Sequence, residues 1–560
     1  MNESQLIFRK TIQDAVDKYH QNQEVIRNEY QPFMRYLKDG NRLEFEALYF
    51  ERRRKLAVFG LNAYFNPSEE NICFLEEIIW LICNEYTWSL PAHLDSSQSI
   101  YDSNSPQMID LFASETGQTL AELTHLLGEH LSQMIKERVH LEIDRRIFVP
   151  FEAKKWHWET VENNWNSVVG GCVGMCAFYQ LPFQSARQQA IVYRIKDSFS
   201  AYLDGFYEDG ACLEGVSYWS YGFGYYIYFA EMLREQYGDA SLLTSQKVKN
   251  IAAFPYHSLM SDDNFVPFSD YNKTLLPSGL LSYCYRQFGV EIPEIKAINP
   301  LDFDHCYRFA QLIRNYEWTE LHAEKVVKDI KFYPDAQWFF ARYPEEKMNV
   351  AFKGGRNDES HNHNDLGHFI LGDMRELFLT DLGAGEYVAD YFKEETRYNF
   401  LNNAAEGHSI PIINGYSQVS GSVSSSIHDA SVSAEEQMVC YDLTDTYAKE
   451  SRVNSFRRRF DVNANNHELL ITDEFHFESA QNKVVENYIT IMPPVVTDYI
   501  VTLANEEMMC RIEMETANIV IEEKVYSNHK GETKTAFLIQ AHFNATEDIK
   551  IQTKVLLQKI

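Results

Sequence analysis

The spacing of hydrophobic residues changes once along this chain of 560 residues, near residue 330. Before that point apolar side chains recur at i, i+3, i+4 and i+7, the period of an amphipathic helix. After it they alternate with polar side chains, the period of a half-buried strand. A chain of this length is too long for one core. We therefore predict an all-α domain over residues 1–330 and an all-β domain over residues 331–560.

The helical part has room for about ten to twelve helices of ordinary length. Segments rich in Gly, Pro, Asn and Asp separate its stretches of helical spacing. The clearest stretches are NICFLEEIIWLICNEY (71–86), TLAELTHLLGEHLSQMIKERVHLEI (119–143) and SYWSYGFGYYIYFAEMLREQYG (217–238). Such an array forms either a solenoid or a closed ring of helical hairpins, and the sequence carries no strict solenoid repeat.

The second part contains more than ten short runs of alternating pattern, separated by Gly, Asn and Asp turns. Examples are QWFFARY, MNVAFKGG, HELLITDEFHF and TAFLIQAHF. Many short strands joined by tight turns are typical of an antiparallel sandwich. The fold class predicted from the pattern alone is thus α followed by antiparallel β.

The chain is acidic, since 51 Lys and Arg against 81 Asp and Glu give a net charge of −30. Repulsion from phosphates argues against a nucleic-acid partner. Two basic runs, ERRRK (51–55) and FRRRF (456–460), are candidate sites for an anion, although a solvated face is the ordinary role of such runs. The aromatic content of 14% suits large cores and sugar-stacking clefts alike.

The compartment is predicted from the absence of export and membrane signals. The first residues, MNESQLIFRKTIQDAVDKYHQNQ, contain no apolar core of a signal peptide, and no run reaches the length of a membrane span. The nine cysteines are odd in number and scattered, unlike a disulfide framework. Cys172 and Cys176 share a helical face, where core packing is expected. We predict a cytoplasmic protein without a membrane partner.

The first stretch with chemical potential is ENNWNSVVGG (162–171), in which three asparagines precede an apolar helix. Asparagine is a strong helix cap, and a cap needs one such residue. The alternative is an amide donor, from Asn163, Asn164 or Asn166, aimed at the carboxylate of a ligand. The residues alone leave both interpretations open.

The second stretch, DGFYEDGACLEGVSYWSYGFGYY (204–226), places Tyr218, Tyr221 and Tyr225 at helical spacing after a Gly-rich turn. A tyrosine-rich core stripe is the simpler interpretation. A phenol beside cationic groups can also lose its proton and act as a general base.

The third stretch is ESHNHNDLGHF (359–369). If it is a strand, His361 and His363 point to one side with Asp365 beyond them, and the intervening asparagines point to the other. Asp381 follows in LFLTDLGAG and His408 in AAEGHSIPIING. Two histidines and an aspartate suit Zn²⁺ by ligand type and count. A hydrogen-bonded polar cluster at a sheet edge is the equal alternative.

Together these stretches resemble the signatures of a known family. KGGRNDESHNHNDLGHFIL, followed by LFLTDLGAGEY and GHSIPIING, closely resembles the C-terminal signature of the heparinase II/III-like polysaccharide lyases. NNWNSVVGG and DGFYEDGACLEGVSYWSYG resemble the two motifs of that family's helical domain. The β-domain motif is the most specific part, and the first 150 residues contribute only helical character.

The resemblance implies an N-terminal incomplete (α/α) toroid followed by a C-terminal antiparallel β-sandwich. It also implies β-elimination at a uronic acid, which leaves a 4,5-unsaturated sugar. The C5 proton lies α to a carboxylate, so removing it requires a donor or cation at that carboxylate. A base at C5 and an acid at the departing O4 complete the requirements.

By the resemblance, Asn164 is the amide that neutralises the carboxylate, and Tyr218 takes the C5 proton and returns one to O4. His361 is the histidine that polarises the carboxylate or assists as a base. Tyr221 is the reserve for the base, because the motif spacing varies within the family. The substrate-binding residues expected around these are Asn163, Trp165, Tyr221, Arg356 and Glu359. Some members have His where this chain has Trp165, so a second neutralising donor has to come from elsewhere.

The resemblance also assigns a structural zinc ion to His363, Asp381 and His408. One histidine of His-x-His then serves the metal while its neighbour serves the substrate. His368 is expected to have a structural role.

Three functions stay open at this point. The leading one is a cytoplasmic lyase acting on anionic, uronate-containing oligosaccharides, glycosaminoglycan fragments first and alginate or another polyuronate second. The second is a glycoside hydrolase on the same toroid, with a carboxylate pair drawn from Glu208, Asp209 and Glu214. The third is a glycan-binding protein without catalysis. A homo-oligomer is compatible with each of them.

Overall fold

The computed structural model describes residues 2–22, 30–94, 107–261, 264–273, 275–323 and 326–560. They form two compact units, each assembled from three segments of chain. The first unit, called the helical unit here, comprises Met1–Phe206, Tyr218–Lys249 and Thr274–Ala323. The second, called the sheet unit, comprises Tyr207–Ser217, Asn250–Lys273 and Glu324–Ile560. The predicted domain limits, 1–330 and 331–560, stay a prediction.

Among the described residues, thirteen α-helices precede the large sheets and a short one lies between two of their strands. Their bounds are α1 Glu3–Asn22, α2 Tyr30–Asp39, α3 Leu43–Phe65, α4 Glu69–Cys83, α5 Leu111–Leu126, α6 Gln133–Ile143, α7 Val149–Ala153, α8 Asn164–Gln180, α9 Ala186–Asp204, α10 Val216–Tyr237, α11 Gln246–Ser258, α12 Ser278–Phe288, α13 Phe309–Trp318 and α14 Glu394–Arg397. Within this described set, no helix has both the length and the hydropathy of a membrane span.

Short polar residues set the helix starts in the helical unit. Ser68, Asp110, Ser132 and Ser185 each accept a backbone N–H of the first turn of the helix that follows, as strong N-caps do. The cap at Ser132 divides the helical stretch 119–143 between α5 and α6. Neighbouring helices pack together, notably α3 with α4, α5 with α8, α8 with α9 and α12 with α13.

Nineteen strands lie in the described residues. Their bounds are β1 Leu259–Ser261, β2 Asn264–Phe265, β3 Asp329–Tyr333, β4 Trp338–Tyr343, β5 Met348–Lys353, β6 His368–Gly372, β7 Leu377–Leu379, β8 Ile412–Ile413, β9 Ser426–Val432, β10 Gln437–Asp442, β11 Val453–Asn463, β12 Glu468–Phe477, β13 Asn482–Thr490, β14 Val495–Thr497, β15 Ile500–Ala504, β16 Met508–Glu513, β17 Ile519–Ser527, β18 Thr533–Ala545 and β19 Asp548–Lys559.

The strands pair into antiparallel sheets. The largest has eight strands in the order β14-β15-β16-β19-β12-β11-β10-β9. A five-stranded sheet runs β3-β4-β5-β6-β7, and a four-stranded sheet runs β17-β18-β13-β8. β1 and β2 form a separate two-stranded ribbon. Every strand-to-strand pairing described is antiparallel, in agreement with the alternating pattern.

One apolar core joins the three large sheets. Phe352 of β5 stacks on Phe460 of β11 with ring centroids 4.2 Å apart, and Tyr488 of β13 lies in the same buried cluster. The five-stranded and eight-stranded sheets therefore pack face to face, as in a sandwich. Burial of each inward-facing aromatic contributes about 1.5–3 kcal/mol.

Neither basic run is the free cationic face that the sequence suggested. In ERRRK, Arg53 of α3 is buried and forms a bidentate pair with Glu85. In FRRRF, Arg458 of β11 is fully buried and binds both Asp473 and Glu486. Strand alternation turns Arg458 inward with Phe456 and Phe460, so its charge requires carboxylate partners inside the core.

Candidate functional site

The two histidines of the His-x-His motif lie in a loop. β5 ends at Lys353 and β6 begins at His368, so residues 354–367 form turns and irregular backbone. His361 has a φ of +58°, which no strand residue adopts. The prediction that His361 and His363 share one face of a strand is therefore wrong. Gly, Asn and Asp in this run favour turns, and that preference outweighs the alternating pattern.

A buried aspartate nevertheless brings the two histidines together. Asp270 has no exposed surface. Its Oδ2 lies 2.7 Å from Nδ1 of His361, and its Oδ1 lies 3.2 Å from Nε2 of His363. The other ring nitrogen of His361, Nε2, lies 3.6 Å from Oε1 of Glu214. The loop thus presents its histidines around one carboxylate and not along a strand.

His363 and His408 meet at their remaining nitrogens. Nδ1 of His363 lies 3.1 Å from Nε2 of His408. His363 directs Nε2 to Asp270, and His408 directs Nδ1 to the carbonyl of Ala404 at 2.8 Å. Because both acceptors take a proton from the ring, the facing nitrogens each keep a lone pair. Two lone pairs at this distance require a proton or a metal ion between them.

Two buried carboxylates complete the cluster. Oδ2 of Asp381 lies 3.5 Å from Nε2 of His408. Oδ2 of Asp365 forms a 2.6 Å pair with the buried ammonium group of Lys353. Oδ1 of Asp365 and Oδ2 of Asp381 are buried without a hydrogen bond within the described residues. Buried carboxylate oxygens are normally partnered, so a cation is the natural complement of this pair.

His368 belongs to the same cluster but faces it differently. Its Nδ1 accepts the backbone N–H of Ser409 at 2.9 Å, which places the ring proton on Nε2. That N–H lies 3.6 Å from Oδ2 of Asp381. In this tautomer His368 has no lone pair to offer a metal, and its structural role stays a prediction.

Burial and mutual charge set the protonation of the cluster. Burial lowers the pKa of His363, and burial lowers the pKa of His368 to well below its ordinary value. Burial alone would also lower the pKa of His408, but the adjacent Asp381 carboxylate raises it above the ordinary value. Burial would raise the pKa of Asp381, yet the charges of the neighbouring histidines hold it below its usual range. The carboxylate is thus ionised and suited to a cation.

His363, Asp365, Asp381 and His408 form a group that could hold a metal ion. All four are buried, and one ligand atom from each lies within 4.8 Å of the others. In a tetrahedral zinc site with Zn–N bonds of about 2.0 Å, two nitrogens are about 3.3 Å apart. The two facing imidazole nitrogens match that separation. The structure therefore brings together the three predicted metal ligands and adds Asp365, which the sequence placed only nearby.

In the helical unit the three asparagines at the start of α8 have different roles. Asn163 is the N-cap, with Oδ1 accepting the N–H of Trp165 at 3.1 Å. Asn166 donates to the carbonyls of Glu159 and Ser198. Asn164 is only 4% exposed, and its side-chain amide makes no hydrogen bond to the described part of the chain. Trp165 is half-buried, with its ring centroid 5.0 Å from that of His93. One asparagine therefore caps, one is structural and one keeps its amide available.

The tyrosines of α10 also differ in environment. Tyr218 is half-buried. Tyr221 is buried, and the guanidinium carbon of Arg308 lies 3.9 Å from its ring centroid. Burial raises the pKa of Tyr221 well above its ordinary value, and burial does the same for Tyr225. Losing a proton is therefore hard for Tyr221.

Gly222, one turn after Tyr218, lets α10 approach the start of α8. A Cβ atom at Gly222 would lie 2.8 Å from the hydroxyl of Tyr202 and 3.3 Å from Cβ of Asn164. Only glycine leaves space for this contact. The structure thus brings Asn164 close to the turn of α10 that follows Tyr218.

The two remaining predicted substrate contacts lie in the loop of the sheet unit. Arg356 is exposed and forms a bidentate pair with Asp358. Glu359 accepts the hydroxyl of Tyr207 at 3.2 Å, and burial raises its pKa. Their roles toward a substrate stay predictions.

Helices precede antiparallel sheets in this chain, and a buried His/Asp cluster lies in the loops of the sheet unit. Residues 325–555 match the family model of the Heparinase II/III-like C-terminal domain, so this region resembles that domain. A search of curated proteins finds no match.

Solved structures share the fold over most of the chain. Heparinase III is similar at 12% identity and a TM-score of 0.62, over 91% of this chain and 77% of that one. The heparan sulfate lyase HepC from Pedobacter heparinus is similar at 13% identity and a TM-score of 0.58, over 91% and 76%. The chondroitin AC lyase of Streptomyces coelicolor, solved with chondroitin sulphate, has 10% identity and a TM-score of 0.52, over 91% and 74%.

These likenesses confirm the family resemblance and the predicted fold class, a toroid-type helical part followed by an antiparallel β-sandwich. The fold is that of polysaccharide lyases.

Sequence reasoning missed Asp270 and the residues around it. Asp270 lies 91 positions before His361, in a segment, PFSDYNK (267–273), that has no motif of its own. Tyr391 and Arg397 also contact Asp270 and were not considered. Only the fold brings these segments together, so no spacing in the sequence could have revealed them.

Proposed function

We propose that this protein is a lyase that cleaves uronate-containing poly- or oligosaccharides by β-elimination. The observation that carries the proposal is Asn164, a nearly buried residue whose amide lacks a hydrogen bond within the described residues. An amide that makes no hydrogen bond within the described residues can donate to a ligand at no cost to the protein's own hydrogen bonds.

Asn164 is assigned to the uronate carboxylate. When the C5 proton leaves, negative charge spreads onto that carboxylate, and a fixed donor stabilises it more in the transition state than in the ground state. The first turn of α8 adds its positive helix end to the same region. Both effects favour the enediolate over the bound substrate.

Tyr218 is assigned to the base that takes the C5 proton and to the acid that returns a proton to O4. Its half-buried position keeps the phenol accessible. The close contact of Gly222 with Asn164 supports a shared location for the amide and this turn of α10. Tyr221 is the weaker candidate, since burial raises its pKa well above the ordinary value.

His361 is assigned the role of polarising the uronate carboxylate or of assisting the base. Its Nδ1 is engaged by Asp270, so Nε2 is the nitrogen that can serve the substrate. Trp165, Asn163, Arg356 and Glu359 are kept as proposed substrate contacts.

We assign zinc to His363, Asp381 and His408, with Asp365 as the neighbouring carboxylate. Imidazole nitrogen with carboxylate oxygen is a donor set that zinc accepts. When bound, the ion would tie the loop of His363 to the segments of Asp381 and His408, and its contribution would be structural.

Glycosaminoglycan fragments are the first substrate class proposed, with alginate or another polyuronate as the alternative. Similar folds occur in heparinase III and in a chondroitin AC lyase solved with chondroitin sulphate. The net charge of −30 favours short anionic fragments over long polymers. The cytoplasm is the proposed compartment, since all nine cysteines are free.

A screen of uronate-containing oligosaccharides tests the proposal. Each reaction is followed by the ultraviolet absorbance of the C4–C5 double bond and, in parallel, by the gain of reducing ends. Both signals are expected to rise together, and Tyr218→Phe should abolish both. Reducing ends without new absorbance would favour the hydrolase. Against that alternative, Asp209 already accepts three backbone N–H groups, from Ala211, Asp335 and Ala336.

A further inference from the structure

Asp270 lies in a short, well-anchored segment of the sheet unit. Ser269, beside it, has a φ of +62° and donates its hydroxyl to the carbonyl of Leu213. Tyr271, on the other side, accepts the N–H of Ala384. The Asp270 side chain is fully buried between these anchors, so its position is set by the fold.

Four donors surround this one carboxylate. Oδ2 receives His361 at 2.7 Å and Arg397 at 3.4 Å. Oδ1 receives His363 at 3.2 Å and the hydroxyl of Tyr391. An ionised carboxylate has only acceptor sites, so each of these partners has to supply the proton. Four hydrogen-bond donors to one buried carboxylate are more than are needed to balance its single negative charge.

Asp270 fixes one nitrogen of each histidine as a hydrogen-bond donor. His361 directs the proton of Nδ1 to Asp270, and its Nε2 faces Oε1 of Glu214 at 3.6 Å. His363 holds its proton on Nε2, so Nδ1 faces His408 and the metal cluster. A ring held at one nitrogen by a buried carboxylate has a fixed orientation, which both assigned roles require.

Arg397 extends the same control to the backbone of the loop. Its guanidinium donates to Asp270 and, at 2.8 Å, to the carbonyl of Asn362, the residue between the two histidines. The loop is therefore fixed both through its histidine side chains and through its main chain.

We propose that Asp270 is a positioning residue that acts through His361 in the reaction and through His363 at the metal. This inference rests on the proposed function for its first half only. A ring fixed by a buried acceptor keeps the geometry that catalysis needs, and a carboxylate behind a ligand histidine strengthens metal binding.

A double-mutant cycle tests the catalytic half with Asp270→Asn, His361→Ala and the double variant. Asp270→Asn should lower kcat by about 100-fold or more, the scale of general acid–base assistance, with KM changed by less than about threefold. In the His361→Ala background, Asp270→Asn should cause no further loss, because residues that act as one unit are not additive. A full further loss in that background would overturn the proposal.

Asp329→Asn is the matched control. Asp329 binds Nδ1 of His257 at 2.9 Å in the same unit. The substitution therefore removes the carboxylate of another Asp–His pair, one that does not involve the loop. Its kcat should equal that of the parent protein. If Asp270→Asn does not fold, Tyr391→Phe removes one of the four donors instead. The loss of kcat that Tyr391→Phe causes should also vanish in the His361→Ala background, and a persistent loss would contradict the proposal.

Zinc affinity tests the second half without any turnover. Titration against a chromogenic chelator should show zinc bound about 10–100-fold more weakly by Asp270→Asn and unchanged by Asp329→Asn. If no uronate glycan is cleaved by the parent protein, the proposed function fails while this measurement still decides the role of Asp270 at the metal. Equal zinc affinity in Asp270→Asn and the parent would overturn it.

Discussion

Nδ1 of His363 and Nε2 of His408 face each other at 3.1 Å, while the other nitrogen of each ring already has an acceptor. A proton on His408 or a metal ion would each satisfy this pair. Two nearby carboxylate oxygens without donors in the described residues, on Asp365 and Asp381, favour the metal. The protein should therefore contain one zinc per chain by elemental analysis.

Removing the metal should destabilise the protein. Binding that is specific to the folded state adds about 3 kcal/mol when free metal is about a hundredfold above Kd. A chelator, or His363→Ala, should lower the melting temperature accordingly and abolish bound zinc. His368→Asn is the control, because its Oδ1 can replace Nδ1 as the acceptor of the Ser409 N–H. Loss of zinc in that variant would show that His368 is a ligand after all.

Asn164→Ala should slow turnover without unfolding the protein. The amide makes no hydrogen bond within the described residues, so its loss should change the free energy of unfolding little. Loss of one donor to a developing charge lowers kcat by about 10²–10³-fold. Asn163→Ala provides the contrast in stability, since loss of an N-cap costs about 1 kcal/mol. Denaturant unfolding and steady-state kinetics of both variants measure these effects, and an unchanged kcat for Asn164→Ala would reject its assignment.

Tyr218→Phe and Tyr221→Phe separate the two candidate bases. Removing a general base costs about 10²–10⁴-fold in rate, and that loss is expected for Tyr218→Phe. Tyr221→Phe should reduce kcat less than about tenfold, because the buried phenol resists ionisation. The reverse order of the two losses would move the base to Tyr221.

Gly222→Ala should perturb the contact between α10 and α8. The new Cβ would lie 2.8 Å from the hydroxyl of Tyr202 on α9, closer than real contacts allow, and 3.3 Å from Cβ of Asn164 at the start of α8, so the side chains at this contact have to shift. Turnover should fall. Gly224→Ala, two residues away, makes only ordinary contacts with Tyr228 at 3.4 Å and Leu280 at 3.5 Å and should stabilise the helix by up to about 1 kcal/mol. Equal behaviour of the two variants would exclude a role for the close approach.

Glu486 should make stability fall as the pH rises above the ordinary glutamate range. Burial, reinforced by Asp473, raises the pKa of Glu486 well above its ordinary value despite the pair with Arg458. The folded state therefore holds a proton that the unfolded state releases. Stability should decline as pH rises from the ordinary glutamate range through the raised folded pKa. Glu486→Gln should flatten this decline in unfolding experiments, and an unchanged pH dependence would show that the group titrates normally.

The fold was largely predictable because hydrophobic periodicity records which side chains are buried. Strand runs such as MNVAFKGG and HELLITDEFHF lie in β5 and β12. The pattern failed where polar and turn-forming residues imitate alternation. For that reason the sequence predicted a strand where the loop of His361 lies. The inward-facing arginine of FRRRF was predicted to be solvated because its two carboxylate partners lie on other strands, β12 and β13.

The metal ligands were predictable as a set only through the family resemblance. Spacing alone could not distinguish a metal site from a hydrogen-bonded polar cluster, since His363 and His408 are 45 positions apart. Asp270 carries no local signal at all. Its importance depends on the three-dimensional meeting of segments that the sequence separates by about ninety residues or more.

The sheet unit is built from three separate segments of the chain, and this limits how the protein can be divided into fragments. The family model covers residues 325–555, yet Asp270 belongs to Asn250–Lys273, an insertion between two parts of the helical unit. A fragment beginning at residue 325 would keep both His-x-His histidines and lose the carboxylate that orients them. The C-terminal region alone therefore lacks part of the site, and an engineered fragment has to include the segment of Asp270.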